Sequence, residues 1–450
     1  MSPSPVPSPS SASAPPRPIR QAATLIVLRD GAQGLEVLLL RRAEKANDQN
    51  SGASVFPGGL LDAHDRGLHD FCCGIDDAWA SARLALPAGG LDYFAAAVRE
   101  CFEESGLLFA QDARRQQLLD LQGLSRGELA AMRAAAAAGT DALVALCRER
   151  GWQLAVDRLA YFAHWLTPPG MPRRFDTRFF IAAVPPGQEV EVDRFEIAEH
   201  SWLRPHDALD PARRLKLMNV TRRILQQLAQ FASVDECLAH ARGLRDVVLN
   251  MPRLAGGPGG ARPVNIEEPA YAEIGYVDPE GRGHAFHTLE GGAVLALSPN
   301  VWRVTSSRVD ASPGEHSYFV GAGTGGPWAL IDPHVGDDAH AQALRAAAPG
   351  PVQWILSTRG HDAAQGAASP WRALWPEARF AGIEPGADVR LGEAVLRVLA
   401  HGSDASARGF LLLPGGLLFA GAAAWAPAAL PREAQWLAPA LGFLQRAAQR

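Results

Sequence analysis

Arg99-Glu100-Cys101-Phe102-Glu103-Glu104-Ser105-Gly106-Leu107 is the stretch on which the reading of this chain turns. On a helix Glu100 sits one turn before Glu103 and Glu104, so three carboxylates crowd one face. Like charges at that spacing cost a helix roughly 0.2–0.5 kcal/mol per pair, so folding alone gives no reason for them. A hard divalent cation does. Mg²⁺ takes oxygen ligands, keeps some of its waters and bridges carboxylates to substrate phosphates. A carboxylate left outside the coordination shell can accept a proton from an attacking water. Ala96, Val98, Phe102 and Leu107 supply the apolar face, so the spacing predicts a helix over Ala95–Phe109 with a break at Gly106 or soon after. Upstream, Phe56-Pro57-Gly58-Gly59 is a turn whose glycines let the backbone approach a metal and a diphosphate, with a carbonyl as a further ligand.

These two segments resemble the Nudix hydrolase family. Its box reads G, five residues, E, seven residues, then REUxEExGU with U aliphatic, and Arg99 to Leu107 fits the second half. The first half departs: Asp65 stands where Glu is expected, and the gap to Arg99 is far longer than seven residues. Phe56-Pro-Gly-Gly-Leu-Leu-Asp62-Ala-His-Asp65 followed by an insertion looks like the coenzyme A-type branch, as does Gly52. Asp48 occupies the place where that branch has an Arg. Arg173 to Phe180 and Glu196 to Leu203 look like later strands of the same branch, and the resemblance covers roughly residues 20 to 235. It implies that the Gly58 carbonyl, Glu103 and Glu104 hold Mg²⁺ or Mn²⁺, and that Glu100 is ligand or base. It also implies that Arg99 orients the carboxylates and that Glu196 or Glu199 completes the site. Arg174 and Arg178 are the candidates to meet a substrate phosphate.

Outward from this site, Ala23–Arg29 and Leu35–Arg41 read as strands around an Asp30-Gly31 turn. Residues 66 to 92 read as an inserted excursion and 125 to 150 as an alanine-rich helical stretch. Leu159–Trp165 and Arg178–Val184 read as strands, and Pro211–Phe231 as a helix. Leu254-Ala-Gly-Gly-Pro-Gly-Gly-Ala-Arg262 has the composition of a flexible linker. The expected organisation is a Pro/Ser tail over 1–19, a Nudix domain over 20–235, helix and linker over 236–284, and a separate α/β domain over 285–450.

In that last segment Tyr318–Gly321, Leu330–Pro333 and Ile355–Thr358 resemble the strand order of the metallo-β-lactamase fold. Active members place THxHxDH after the last strand, because two metals need clustered imidazoles and a carboxylate. Here the run is Thr358-Arg359-Gly360-His361-Asp362-Ala363-Ala364, while Ala405 and Ala422 stand where a further His and a bridging Asp belong. A domain retained for packing, dimerisation or regulation is the reading. One ion held by His361, Asp362 and His401 is the alternative. The resemblances together imply an α/β (α+β) chain: a Nudix α/β/α sandwich followed by a metallo-β-lactamase-like αββα domain.

Across its 450 residues the chain is 47% apolar and 20% charged, and its net charge of −5 provides no electrostatic footprint for nucleic acid. The five cysteines are odd in number and lack CxxC spacing, which fits reduced thiols in a cytoplasmic protein. No apolar run is long enough to span a bilayer. The excess of Ala, Gly, Pro and Arg fits a GC-rich, bacterial genome. Cys72-Cys73 reads as apolar filler, the Ala134–Ala138 run as helix propensity, and Arg114-Arg115 and Arg222-Arg223 as solvated helix faces. The function expected is hydrolysis of a pyrophosphate bond in a nucleoside diphosphate-linked small molecule such as coenzyme A or an acyl derivative, with a homodimer as the protein partner considered. A non-catalytic nucleotide-binding regulator and a metallo-β-lactamase-type hydrolase working through the second half are the competing readings.

Overall fold

The computed structural model describes residues 18–44, 51–192, 196–308, 313–323, 325–334, 338–359, 368–380, 383–402, 404 and 406–447. Two compact units emerge: residues 1–167 with 171–251, and residues 168–170 with 252–450.

The first unit runs β1 (Ile19–Gly31), β2 (Gly34–Arg42), β3 (Ser54–Val55), β4 (Gly58–Leu60), α1 (Asp77–Arg83) and α2 (Gly90–Ser105). Then come β5 (Ala110–Asp112), α3 (Arg126–Ala138), α4 (Thr140–Arg150), β6 (Trp152–Leu154), β7 (Ala160–Leu166), β8 (Arg174–Ala183) and β9 (Ile197–Leu203). It closes with α5 (Pro205–Leu209), α6 (Asn219–Leu228), α7 (Val234–Gly243) and β10 (Leu249–Asn250). The main sheet has the order β10-β7-β8-β1-β2-β3, with β4 on β1 and β9 on β2. β1 is buried on both faces: Ala23, Leu25 and Val27 join α2 residues Phe94, Val98 and Phe102 in one core. Ile26 and Leu28 face the opposite way, toward Ile224, Leu225 and Leu228 of α6 and Leu238 of α7. A sheet buried on both faces by helices is the α/β/α layering expected of the first half.

The catalytic-pattern helix begins earlier than its periodicity suggested, at Gly90, because Leu91, Tyr93 and Phe94 also pack into the core. It stops at Ser105, where Gly106 takes φ 74° and donates its amide to the Phe102 carbonyl. The stretch read as one helix over Pro211–Phe231 is instead a short 3-10 turn and α6. Arg214 at φ 53° breaks the path between them. Within the excursion over 66–92, α1 is capped by the Asp76 carboxylate. All five cysteines belong to this unit, and burial pushes Cys73, Cys101, Cys147 and Cys237 up to about 12 and Cys72 higher still.

The glycine-rich stretch read as a linker is a hairpin turn. It joins β11 (Arg253–Ala255) to β12 (Arg262–Val264), whose pairing buries Ala255 and Val264 with Ile274 of α8 (Tyr271–Val277). The rest of the second unit has two six-stranded sheets. The first contains β13 (Val294–Ser298), β14 (Val301–Ser307), β15 (Pro313–Gly321), β16 (Trp328–Ile331), β17 (Val352–Leu356) and β18 (Arg379–Phe380). The second contains β19 (Asp388–Leu391), β20 (Ala394–Ala400), β21 (Arg408–Leu413), β22 (Leu417–Gly421), β23 (Trp436–Pro439) and β24 (Gln445–Arg446). Tyr318, Val320 and Ile331 of one sheet share a core with Leu396, Phe410 and Phe419 of the other, so the sheets pack face to face. Leu344 of α9 (Asp338–Ala347) and Trp371 of α10 (Ala368–Leu374) cover the outer face of the first sheet. The outer face of the second is closed by Trp425, Leu430 and Ala434 from the chain between β22 and β23. A buried ion pair pins α8 to this sandwich: the Arg303 guanidinium donates to both Glu273 oxygens at 2.6 and 2.9 Å, and the Leu444 amide donates to the same carboxylate.

Candidate functional site

α2 lies against β4, and the glycines decide how closely. A Cβ on Gly59 would meet the Glu100 carboxylate at 2.4 Å, and one on Gly58 would meet Ala23 and Thr24 at 2.6 Å. The Gly58 amide donates to Glu104 Oε2 at 2.9 Å. The acidic helix face and the glycine strand are therefore in direct contact.

Arg99 organises the rest. Its Nε and Nη2 donate to the two oxygens of Asp65 at 2.8 and 3.2 Å, and Nη2 also donates to the Leu60 carbonyl at 2.9 Å. Its Nη1 donates to Glu100 Oε1 at 2.9 Å and Glu103 Oε1 at 3.1 Å. Five acceptors match the five N–H bonds of a guanidinium, so the fork is fully used. Asp65, which the sequence showed only as a departure from the box, has no exposed surface. The long insertion thus leaves the two halves of the motif joined in space. Asp65 was not among the site residues read from the sequence; its distance along the chain from Arg99 hid the pairing.

Burial holds the carboxyls of this cluster above the ordinary glutamate range. Glu103 is raised to about 7 by burial and the Glu100 charge, against the pull of Arg99. Glu104 is raised to about 8, chiefly by its burial, while the Gly58 amide acts downward and the Glu100 charge adds to the rise. Glu100 is raised by burial, with Arg99 opposing. Glu196 lies near enough for its charge to raise Glu100 and Glu104, whereas Glu199 is turned to Arg41 at 2.6 Å. So many acidic oxygens around one guanidinium suit a hard divalent cation, whose charge would offset the burial and the mutual repulsion that lift these groups. Among the described residues no three His, Cys, Asp or Glu side chains already converge as a metal cage. Arg99 draws Glu100 and Glu103 together, while Glu104 is turned to Gly58.

The two arginines read as substrate contacts are committed elsewhere. Arg178 is 4% exposed, ion-pairs with Asp176, contacts His164 and lies over the Tyr93 ring at 5.4 Å. Its strand register places it opposite Ala23, which in turn pairs with Gly59, about 10 Å from the glycine strand at two inter-strand spacings. Arg174 Nε donates to the Thr167 carbonyl. Neither joins the carboxylate cluster.

In the second unit, Asp332 adopts φ 50° and accepts the Thr358 amide and hydroxyl, both at 2.7 Å. Arg359, standing where a first metal histidine would be, pairs with Glu315. His401 uses Nε2 on the Ala424 carbonyl and Nδ1 on the Asp404 amide. Ala422 follows β22 and is exposed. Asp48, His361, Asp362, Ala363, Ala364 and Ala405 lie outside the described residues. No helix among the described residues is long and apolar enough to cross a membrane.

Residues 80–218 match the family model of the NUDT19 Nudix domain. The acyl-coenzyme A diphosphatase NUDT19 of Xenopus laevis is 27% identical over 234 residues, covering 45% of this chain and 61% of that protein. The chain spans between 54% and 66% of the length of four curated relatives that it matches. A solved Nudix hydrolase from Alicyclobacillus acidocaldarius is 29% identical, covers 49% of this chain and 96% of its own, and has a TM-score of 0.42. A beta-lactamase domain protein from Burkholderia ambifaria is 16% identical, covers 36% of this chain and 74% of its own, and has a TM-score of 0.26.

Proposed function

Since the first unit is a Nudix domain similar to that of NUDT19, we propose that the chain hydrolyses the P–O–P bond of a nucleoside diphosphate-linked substrate of the coenzyme A or acyl-coenzyme A class. The observation that carries this reading is the contact of Glu100 and Glu104 with the Gly58-Gly59 strand, organised by the saturated Arg99 fork. The substrate class follows from the name of the Xenopus relative.

Glu103, Glu104 and the Gly58 carbonyl would hold Mg²⁺ or Mn²⁺, which when bound screens the diphosphate charge and acidifies water. Glu100 keeps one oxygen on Arg99, and its carboxyl lies beside Gly59. There it accepts the proton as a water oxygen attacks phosphorus and the bond to the leaving phosphate breaks. Its raised pKa favours proton capture. Arg99 stays charged throughout, held up by Asp65 and the glutamates around it against the effect of burial. The glycine strand keeps side chains out of the space beside these groups.

Product release from coenzyme A, an acyl-coenzyme A, NADH and ADP-ribose, with either metal, tests the reading. Coenzyme A is expected to yield phosphopantetheine and adenosine 3′,5′-bisphosphate. Glu104→Gln is expected to lower turnover by at least about a hundredfold, since even outer-shell partners of a metal cost up to that much. Equal turnover in the variant removes Glu104 from the site; no release from any diphosphate overturns the hydrolase reading.

A further inference from the structure

Asp65 aims Arg99, and the carboxyl of Asp65 is itself held from an unexpected direction. Its Oδ1 accepts Arg99 Nε at 2.8 Å and the Thr140 hydroxyl at 3.2 Å, while Oδ2 accepts Arg99 Nη2 at 3.2 Å and the Asp62 amide at 2.7 Å. A carboxylate has about four lone-pair sites, and all are taken. Three of these bonds come from the motif itself or its immediate neighbour. The fourth comes from the first residue of α4, 75 positions along the chain.

We propose that Thr140 is a positioning residue for the Nudix carboxylates, acting through Asp65 and Arg99. The bonded path runs from the Thr140 hydroxyl to Asp65, to the guanidinium, and on to Glu100 and Glu103. Thr140 is 2% exposed, so solvent does not replace its hydroxyl. It is placed by Gly139, whose φ of 151° separates α3 from α4 and turns the alanine-rich stretch into a helical pair. Met132 and Ala136 of α3 and Leu143 and Cys147 of α4 belong to the same core as α2. The pair is thereby fixed to the helix whose carboxylates it steadies. Without the hydroxyl, the buried Asp65 oxygen lacks one donor and the carboxyl can turn, taking with it the fork that holds Glu100 and Glu103 side by side. The metal-binding arm of this inference does not need the hydrolase reading; the kinetic arm rests on it.

The experiment compares the full chain with Thr140→Val, Thr140→Ala and Thr140→Ser. It measures Mn²⁺ affinity by electron paramagnetic resonance, kcat and KM for the best diphosphate of the panel, and thermal melting. Thr140→Val and Thr140→Ala are expected to weaken Mn²⁺ binding and lower kcat by about tenfold, the scale of one lost buried hydrogen bond, with KM unchanged. Thr140→Ser, which keeps the donor, is expected to restore both. Unchanged Mn²⁺ affinity in the two variants without a hydroxyl overturns the proposal. So does a serine variant as defective as valine, or loss of metal affinity that merely tracks loss of melting temperature. Weakened Mn²⁺ binding in a chain that cleaves no diphosphate supports the positioning role and defeats the hydrolase reading instead.

Discussion

Glu103 and Glu104 hold carboxyls whose protons are easier to keep in the folded chain than in the unfolded one, and this has a measurable sign. Burial raises the two groups to about 7 and about 8 in the folded chain, above the ordinary glutamate value of 4.5. Between pH 4.5 and 8 the native state therefore binds more protons, and stability falls as pH rises through that window. In chelator, the melting temperature of the chain is expected to drop from pH 5 to pH 8, and Glu104→Gln to flatten the drop. Mn²⁺, by binding the native carboxylates, is expected to reverse it. A wild-type profile that is flat in chelator, or one that the variant leaves unchanged, contradicts the burial argument. Single residues were also where the sequence was least complete. Glu100, Glu103 and Glu104 could be placed on one face because helical spacing is local. Asp65 could not be matched to Arg99, because that pairing depends on how the intervening chain folds back. The surroundings of Arg178 are hidden for a related reason: a strand residue in one register faces solvent and in another faces Tyr93, and composition does not tell them apart.

At the level of elements, β4 and α2 behave as one device whose clearance is set by a missing side chain. Gly59→Ala puts a methyl group where the Glu100 carboxylate sits. The helix is held by Phe94, Val98 and Phe102 in the core, so the glutamate moves and the helix stays. Turnover is expected to fall by about a hundredfold, the scale of an ångström's misplacement in an active site, with little change in melting temperature. Wild-type turnover in this variant would show that Glu100 works from another position. The strands around the site were legible because β1 and β2 carry dense apolar runs bounded by turn residues. The Pro211–Phe231 helix was not, since its broken path depends on the backbone conformation of Arg214. The Gly-Pro-Gly-Gly stretch was read as a linker for want of a partner; β11 and β12 find theirs in each other and in Ile274 of α8.

Across the whole molecule, two units with separate cores are expected to melt in two steps, since each buries its own apolar surface. Glu273→Ala tests the division. It strands the buried Arg303 guanidinium, a loss of about 3–5 kcal/mol for one partner of a buried pair. Calorimetry is expected to show one transition shifted down and the other in place; a uniform shift would show that the chain melts as one. The two-sheet architecture of the second unit was visible in its strand order, whereas the roles of Arg359 and His401 became clear only from their bonds to Glu315, Ala424 and Asp404.

The distribution of sulfur turns that division into a tool. Every cysteine lies in the first unit, with thiol pKa values too high for ready alkylation near neutral pH while the unit is closed. Iodoacetamide incorporated during a heating ramp, read as added mass on the intact chain, thus reports the opening of the first unit alone. The silent remainder of the polypeptide contributes no signal, so one reagent times one half of a fused protein without cutting it.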